Sequence, residues 1–176
     1  MEPQNIVIDN ILSTHQIGLG KHYNKYRNHV YRVFNYCLLL DASPANKKKY
    51  AIASAFHDLG IWTNHTFDYL EPSIRLAKDY LSKIGNKEWQ DEISLMIDMH
   101  HKKSIYRGQF SQTVETFRKA DWVDVSLGRK TFGLSTTSIK AIQKLFKNDG
   151  FTLFLILKGI KNFLRHPSNP LPMFKD

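Results

Sequence analysis

Apolar residues recur at spacings of three and four along almost the whole chain, and this pattern limits the possible folds more than any other feature. Such spacing places apolar side chains on one face of an α-helix, whereas a half-buried strand needs strict alternation. Alternation between turn signals is hard to find in this sequence. The pattern therefore predicts an all-α fold.

Capping and turn residues divide this pattern into predicted helices. Ser43 is expected at an N-cap with Pro44 in the first turn, and Gly60 is expected to end the same helix. The predicted helices cover residues 5–18, 24–41, 44–59, 72–84, 87–102, 112–127, 137–148 and 151–165, and an extended tail is expected at 167–172. The apolar run at 151–157 and the three tryptophans are expected in the core.

Length and composition predict one compact domain over residues 1–176. A chain of 176 residues can bury a sizeable core, and 42% hydrophobic with 23% charged residues excludes a disordered or collagen-like chain. The single cysteine, Cys37, excludes an internal disulfide framework and suits a reducing compartment. No apolar segment is long enough to span a bilayer, and residues 1–10 lack a signal-peptide pattern. We therefore expect a cytoplasmic protein without a membrane partner.

Positive charge is concentrated towards the C-terminus. The net charge is +9, and residues 129–176 hold nine Lys or Arg against two acidic residues, which is +7 of that total. Two interpretations stay open, a phosphate-binding or nucleic-acid-binding face and the solvated side of amphipathic helices, of which the second is commoner. Aromatic residues are not interleaved with the cations as in single-strand binders. We expect an acidic small-molecule substrate rather than nucleic acid, and we leave a homodimer open.

His29 and His57 are expected to lie side by side in a helical hairpin. The loop between their helices is centred near Ser43, and each histidine is 14 residues from it. At about 1.5 Å rise per residue, both lie about 21 Å from the turn. Asp58 is about 100° further round the helix from His57, so one ion between the helices can be reached by all three side chains. Imidazole nitrogens and carboxylate oxygens are the ligands that divalent transition metals accept.

Asp121 is expected on or beside the apolar face of a distant helix, at 3–4 spacing from Phe117 and next to Ala120. An unpaired carboxylate there is costly, so a buried Asp121 needs a cation. A metal ion and a neighbouring Arg or Lys are equal alternatives for that cation. Spacing alone does not bring Asp121 to the hairpin, and His29 taken singly is more often a satisfied core histidine than a ligand.

Four motifs in one order resemble the HD-domain superfamily of metal-dependent phosphohydrolases. In chain order they are Tyr26-Arg-Asn-His29-Val-Tyr-Arg32-Val33, Ala55-Phe-His57-Asp58-Leu-Gly60, Ile97-Asp-Met-His100-His101 and Lys119-Ala-Asp121. The resemblance covers about residues 23–128 and implies an all-α domain of the HD type. Residues 129–176 are then expected as basic C-terminal helices packed on this core.

The resemblance implies a divalent metal ion, with Mn, Fe, Co, Ni, Zn and Mg as candidates. Members that bind two metals add two histidines before the final Asp. His100 fits one of these positions as a second-site ligand with His101 as its substitute, whereas His65 follows His57 by only 8 residues, closer than the pattern usually allows. The ligands implied for the first metal are His29, His57, Asp58 and Asp121.

The resemblance also implies groups that act on the substrate. Arg32, Lys102 and Lys119 are candidates for holding phosphate, although each is equally a solvated surface charge. Asp58 belongs to the implied catalytic set. Glu71 is a candidate general base or water-mediated ligand, and its position also suits a carboxylate that favours a helix N-terminus.

The implied function is metal-dependent hydrolysis of a small phosphorylated metabolite, with nucleotides among the candidates, by a water that the metal activates. Two alternatives stay open. One is a di-iron oxygenase of the same superfamily, and the other is a binding or regulatory module that keeps the fold without turnover.

Overall fold

The structure, a computed structural model, describes residues 1–64, 66, 68–165 and 173. These residues form ten α-helices and two short 3-10 turns and contain no strand, which confirms the predicted all-α fold. His65 and the predicted tail at 167–172 lie outside the described residues. The helices are α1 Ile6–Thr14, α2 Gln16–Leu19, α3 Tyr23–Leu40, α4 Pro44–Phe56, α5 Gly60–Thr63, α6 Leu70–Lys83, α7 Gln90–Met99, α8 Ser111–Val125, α9 Thr136–Leu145 and α10 Phe151–Arg165.

Helix α3 is the central element of the fold. Its middle is buried on all sides, including Val30, Phe34 and Tyr36, and it packs against α4 and α8. Helix α7 packs against α4, α6 and α8, while α9 and α10 also contact α3. A helix buried all round belongs in the interior of a bundle, so polar side chains on α3 must find partners inside the protein.

The turn between α3 and α4 is fixed by the side chain of Asp41. Its Oδ1 accepts from the backbone N–H of Ser43 at 3.0 Å, and its Oδ2 accepts from Tyr50 at 2.6 Å and Asn46 at 2.8 Å. Ser43 occupies the predicted N-cap and Pro44 the first turn, but the Ser43 side chain makes no capping bond. Asp41 therefore holds the hairpin in the register that sets His29 and His57 at one level.

The expectation that Gly60 ends α4 is wrong. Helix α4 ends at Phe56, and Gly60 begins the short helix α5. A Cβ on Gly60 would lie 2.6 Å from the carbonyl oxygen of Tyr69 and 3.0 Å from Oγ of Ser73. Glycine is needed here because the chain before α6 passes too close for a side chain.

The apolar run that begins α10 is only partly in the core. Phe151 is buried, but Leu153, Ile156 and Leu157 are each more than half exposed. Of the tryptophans, Trp62 is buried, whereas the other two are half-buried. In the part of the chain that the structure describes, no helix combines the length and the apolar character needed to cross a bilayer.

Candidate metal centre

Side chains from α3, the end of α4 and α8 converge in the interior. His29 lies in α3, His57 and Asp58 follow the last residue of α4, and Asp121 lies in α8. Nε2 of His29 is 2.8 Å from Nε2 of His57, which is the neighbourhood that the hairpin geometry predicted. All four side chains are almost completely buried.

The ligand atoms have the separations expected around one ion. Nε2 of His29 lies 3.5 Å from Oδ2 of Asp58 and 3.8 Å from Oδ1 of Asp121. Nε2 of His57 lies 3.6 Å and 3.7 Å from the same two oxygens. Ligand atoms held about 2.1 Å from one metal ion lie about 3.0 Å apart in octahedral and about 3.4 Å apart in tetrahedral geometry. Together with the 2.8 Å between the two Nε2 atoms, the five distances run from 2.8 to 3.8 Å, a range that includes both values.

The remaining ring nitrogens fix how the two imidazoles point. Nδ1 of His29 donates to Oδ2 of Asp124 at 2.7 Å, and Nδ1 of His57 donates to the carbonyl oxygen of Ser54 at 2.8 Å. Because the acceptors hold the proton on Nδ1, each neutral imidazole turns the lone pair of Nε2 towards the other. Two facing lone pairs need a cation between them.

Several polar atoms of the cluster have no hydrogen-bond partner. Among the described residues these include Oδ1 of Asp58, Nε2 of His100 and both carboxylate oxygens of Asp121, all of them buried. An unsatisfied carboxylate in the core is costly, and a metal ion removes that cost by taking the oxygens as ligands. The side chains present therefore fit a divalent ion.

The pKa values of the two histidines move in opposite directions. Burial lowers both, but at His29 the hydrogen bonds to Asp124 and Asp58 outweigh burial and raise the pKa to about 9. At His57, burial together with the charges on His29 and His100 lowers the pKa to about 3 against the attraction of Asp58. Without metal, His29 is therefore the protonated partner, and the extra proton on its Nε2 lies between the two imidazoles, where a metal ion would replace it.

Comparison with known protein families matches residues 26–126 to the family described as HD domain. The match covers more than half of the chain and all four side chains above. The chain belongs to the HD domain family. HD domains bind divalent metals, and their superfamily is one of metal-dependent phosphohydrolases. Comparisons with curated proteins and with solved structures gave no match.

A second group of ligand atoms adjoins the first in this HD domain. Asp58, His100 and His101 each offer an atom within 4.8 Å of the others, and Oδ1 of Asp58 is 3.4 Å from Nε2 of His100. Nε2 of His101 is hydrogen-bonded to the hydroxyl of Tyr69 at 2.7 Å, and its Nδ1 is 3.7 Å from Oδ2 of Asp121. Asp58 thus faces both groups, one with each carboxylate oxygen.

Arg32 is not placed to hold phosphate, which corrects the expectation from the sequence. Nε and Nη2 donate to Asp124 at 2.5 Å and 2.9 Å, and Nη1 donates to the carbonyl oxygens of Phe146 and Lys147. The side chain is 1% exposed, because α3 is central and α8 covers it. Its guanidinium keeps Asp124 ionised: burial raises the pKa of Asp124, but Arg32 and His29 lower it to about 2.

Asp124 is the site residue that sequence reasoning missed. It lies three residues after Asp121 on α8, a spacing that places both carboxylates on the same side of the helix. The three-residue spacing in the sequence could therefore have indicated that Asp124 lies near Asp121. Asp124 contacts His29 and not the candidate ion. It therefore orients a candidate ligand without being a ligand itself.

Three other candidate residues are not brought to the cluster. Glu71 is exposed in the first turn of α6, where a carboxylate is favourable beside the helix N-terminus. Lys119 is ion-paired with Glu115 at 3.7 Å, and the carbonyl oxygen of Lys102 accepts from Arg118. Among the described residues, no hydrogen bond or ion pair joins the side chains of these three candidates to the cluster.

Proposed function

We propose that this HD domain is a phosphohydrolase that acts on a small phosphorylated metabolite, with nucleotides among the candidate substrates. The observation that carries the proposal is the buried group of His29, His57 and Asp58, whose ligand atoms lie within 4.8 Å of one another, beside an Asp121 carboxylate whose two oxygens have no hydrogen-bond partner among the described residues. A divalent ion held there supplies Lewis acidity towards a phosphoryl oxygen and lowers the pKa of a coordinated water.

The protein's own side chains orient and enclose this site. Asp124 and the carbonyl oxygen of Ser54 hold the Nδ1 protons of the two histidines. The ring of Phe151 stacks on His29 with centroids 4.3 Å apart, and the ring of Phe117 meets that of His57 edge-on at 5.6 Å. These apolar walls exclude water, and electrostatic interactions are stronger in such a place than in bulk solvent.

His101 is the best candidate for contacting the substrate directly. Its side chain is 11% exposed, whereas those of His57 and Asp58 are 0% and 3% exposed. Its ring is positioned by the hydroxyl of Tyr69. This partial exposure supports a place for the His101 ring at the edge of the site, beside the substrate.

An anionic substrate agrees with the charge of the protein. The net charge of +9 attracts negatively charged phosphate esters as they diffuse towards the protein. Lys102 follows His101 directly in the chain, so it stays a candidate for holding phosphate at the edge of the site, although within the described part of the chain no hydrogen bond or ion pair joins its side chain to the cluster. Arg32 does not, since its nitrogens are used inside the protein.

The test is turnover of phosphorylated compounds by protein reloaded with single metals. Metal-free protein is supplied with Mn, Fe, Co, Ni, Zn or Mg and screened against nucleotides, sugar phosphates and phosphodiesters. We expect metal-dependent phosphate release that chelation and Asp58→Asn abolish. Asp79→Asn, the same change at an exposed position of α6, serves as the matched control. Metal-loaded protein with no activity on any class would overturn the proposal in favour of a binding module.

A di-iron oxygenase is the second candidate, and one observation favours it. Asp58 faces a second ligand group with His100 and His101, so two ions fit beside one carboxylate. Reconstitution with iron and measurement of oxygen uptake separate the two proposals. Antiferromagnetic coupling of an iron pair together with oxygen consumption would favour the oxygenase.

A further inference from the structure

Helix α10 carries a continuous apolar surface that faces away from the protein. Six large side chains on it are each more than half exposed, from 52% for Phe163 to 75% for Leu164. Single exposed apolar residues are ordinary, but contiguous ones mark a site of interaction. The six residues, called here the outer face of α10, are Leu153, Ile156, Leu157, Ile160, Phe163 and Leu164.

The spacing of these residues makes one stripe along the helix. At about 100° per residue, their positions fall within an arc of about 120°. The opposite side of α10 is attached to the protein, because Phe151 is buried against His29 and Phe154 stacks on Trp62 with centroids 5.6 Å apart. The outer face is therefore not needed to attach the helix, and its apolar character calls for an outside partner.

The charged residues of α10 itself are all positive. Residues 151–165 contain Lys158, Lys161 and Arg165 and no acidic residue, and residues 129–165 contain eight basic residues and one acidic residue. Lys161 is exposed beside the stripe, whereas Lys158 packs over the ring of Phe154. A second copy of the chain would bring the same cations to the interface without a carboxylate on α10 to pair them. An anionic surface is complementary to both the stripe and the charge.

We propose that α10 docks this protein on an anionic lipid membrane, lying in the interface with its outer face against the acyl chains. Basic helices with one wide apolar side bind membranes in this way, through buried apolar area and attraction to anionic headgroups. The expectation of no membrane partner rested on the lack of a spanning segment. A helix that lies flat in the interface needs no such length. The proposal does not depend on the catalytic function.

The test is co-sedimentation of the full chain with lipid vesicles. We expect binding to vesicles of phosphatidylcholine with about 30% phosphatidylserine, much weaker binding to phosphatidylcholine alone, and loss of binding as salt screens the charges. Leu157→Glu should weaken binding by about tenfold or more, since it removes a leucine that the membrane would bury and adds a negative charge. Leu145→Glu is the matched control, because Leu145 is 49% exposed on α9 and the change in net charge is the same.

Several results would overturn the membrane proposal. Wild-type protein that does not bind anionic vesicles rejects it, as does Leu157→Glu that binds as the control does. A dimer by light scattering that Leu157→Glu converts to monomer, without vesicle binding, assigns the outer face to a second copy. Circular dichroism checks that the variant stays helical, and Leu157→Gln, which adds no charge, is the second variant if it does not.

Discussion

Asp124 accepts a hydrogen bond from Nδ1 of His29 over 2.7 Å in the interior, and this contact turns Nε2 of His29 towards His57. The carboxylate is in turn held by two nitrogens of Arg32. Three residues therefore form a chain that leads to the candidate metal position, and only His29 of the three belongs to the candidate ligand set. Such partners set the tautomer and the basicity of a metal-binding histidine.

Asp124→Asn is expected to weaken metal binding by about 10-fold to 100-fold while all four candidate ligands remain. The amide keeps the shape of the side chain but removes the negative charge that makes His29 a better ligand. Competition with a chromophoric chelator measures the affinity. Unchanged affinity in a folded variant would show that Asp124 does not influence the metal.

Arg32→Ala is expected to lower the free energy of unfolding by about 3 to 5 kcal/mol, because it leaves the carboxylate of Asp124 buried without its cation. Urea denaturation followed by circular dichroism measures the loss. Arg75→Ala, an exposed change on α6, is the control. A stable Arg32→Ala variant with a raised KM for a phosphorylated substrate would instead restore the role in phosphate binding.

His57→Ala and Asp58→Ala are each expected to lose the tightly bound metal and to stay helical, since each removes a ligand without a backbone change. Elemental analysis after purification without chelator measures metal content. His100→Ala should keep the tight site and lose only a weaker second one, because its nearest ligand partner is Asp58. A full equivalent of metal in His57→Ala or Asp58→Ala would reject the ligand assignment.

The turn at Asp41 is expected to stabilise the protein in a pH-dependent way. Burial raises the pKa of Asp41, but hydrogen bonds from Tyr50, Asn46 and Ser43 outweigh burial and lower it below its ordinary value of 3.8. A carboxyl with a depressed folded pKa adds stability that is present above 3.8 and is lost as the pH falls through the folded value. The difference in unfolding free energy between wild type and Asp41→Asn should therefore shrink below pH 3.8. A constant difference from neutral to acidic pH would contradict this.

The hairpin site was accessible to sequence reasoning because its geometry is local. Equal numbers of residues on either side of Ser43 and a constant rise per residue bring His29 and His57 to one level. The place of Asp121 was not accessible in this way, since α8 is far along the chain and no local rule gives its distance from α3. The spacing of apolar residues predicted that Asp121 is buried, but only the packing of α8 against α3 determines which residues it contacts.

Local chemistry thus decides the helices, most of their ends and the pairing of His29 with His57, because backbone hydrogen bonds and side-chain periodicity act over a few residues. Packing between distant helices decides what each charged or apolar side chain faces. Arg32 turns inward to Asp124 because α8 lies beside α3, and Leu157 stays exposed because α10 has the protein on one side only. With other neighbours an arginine could be exposed and a leucine buried. Their roles therefore depend on long-range contacts that no short segment encodes.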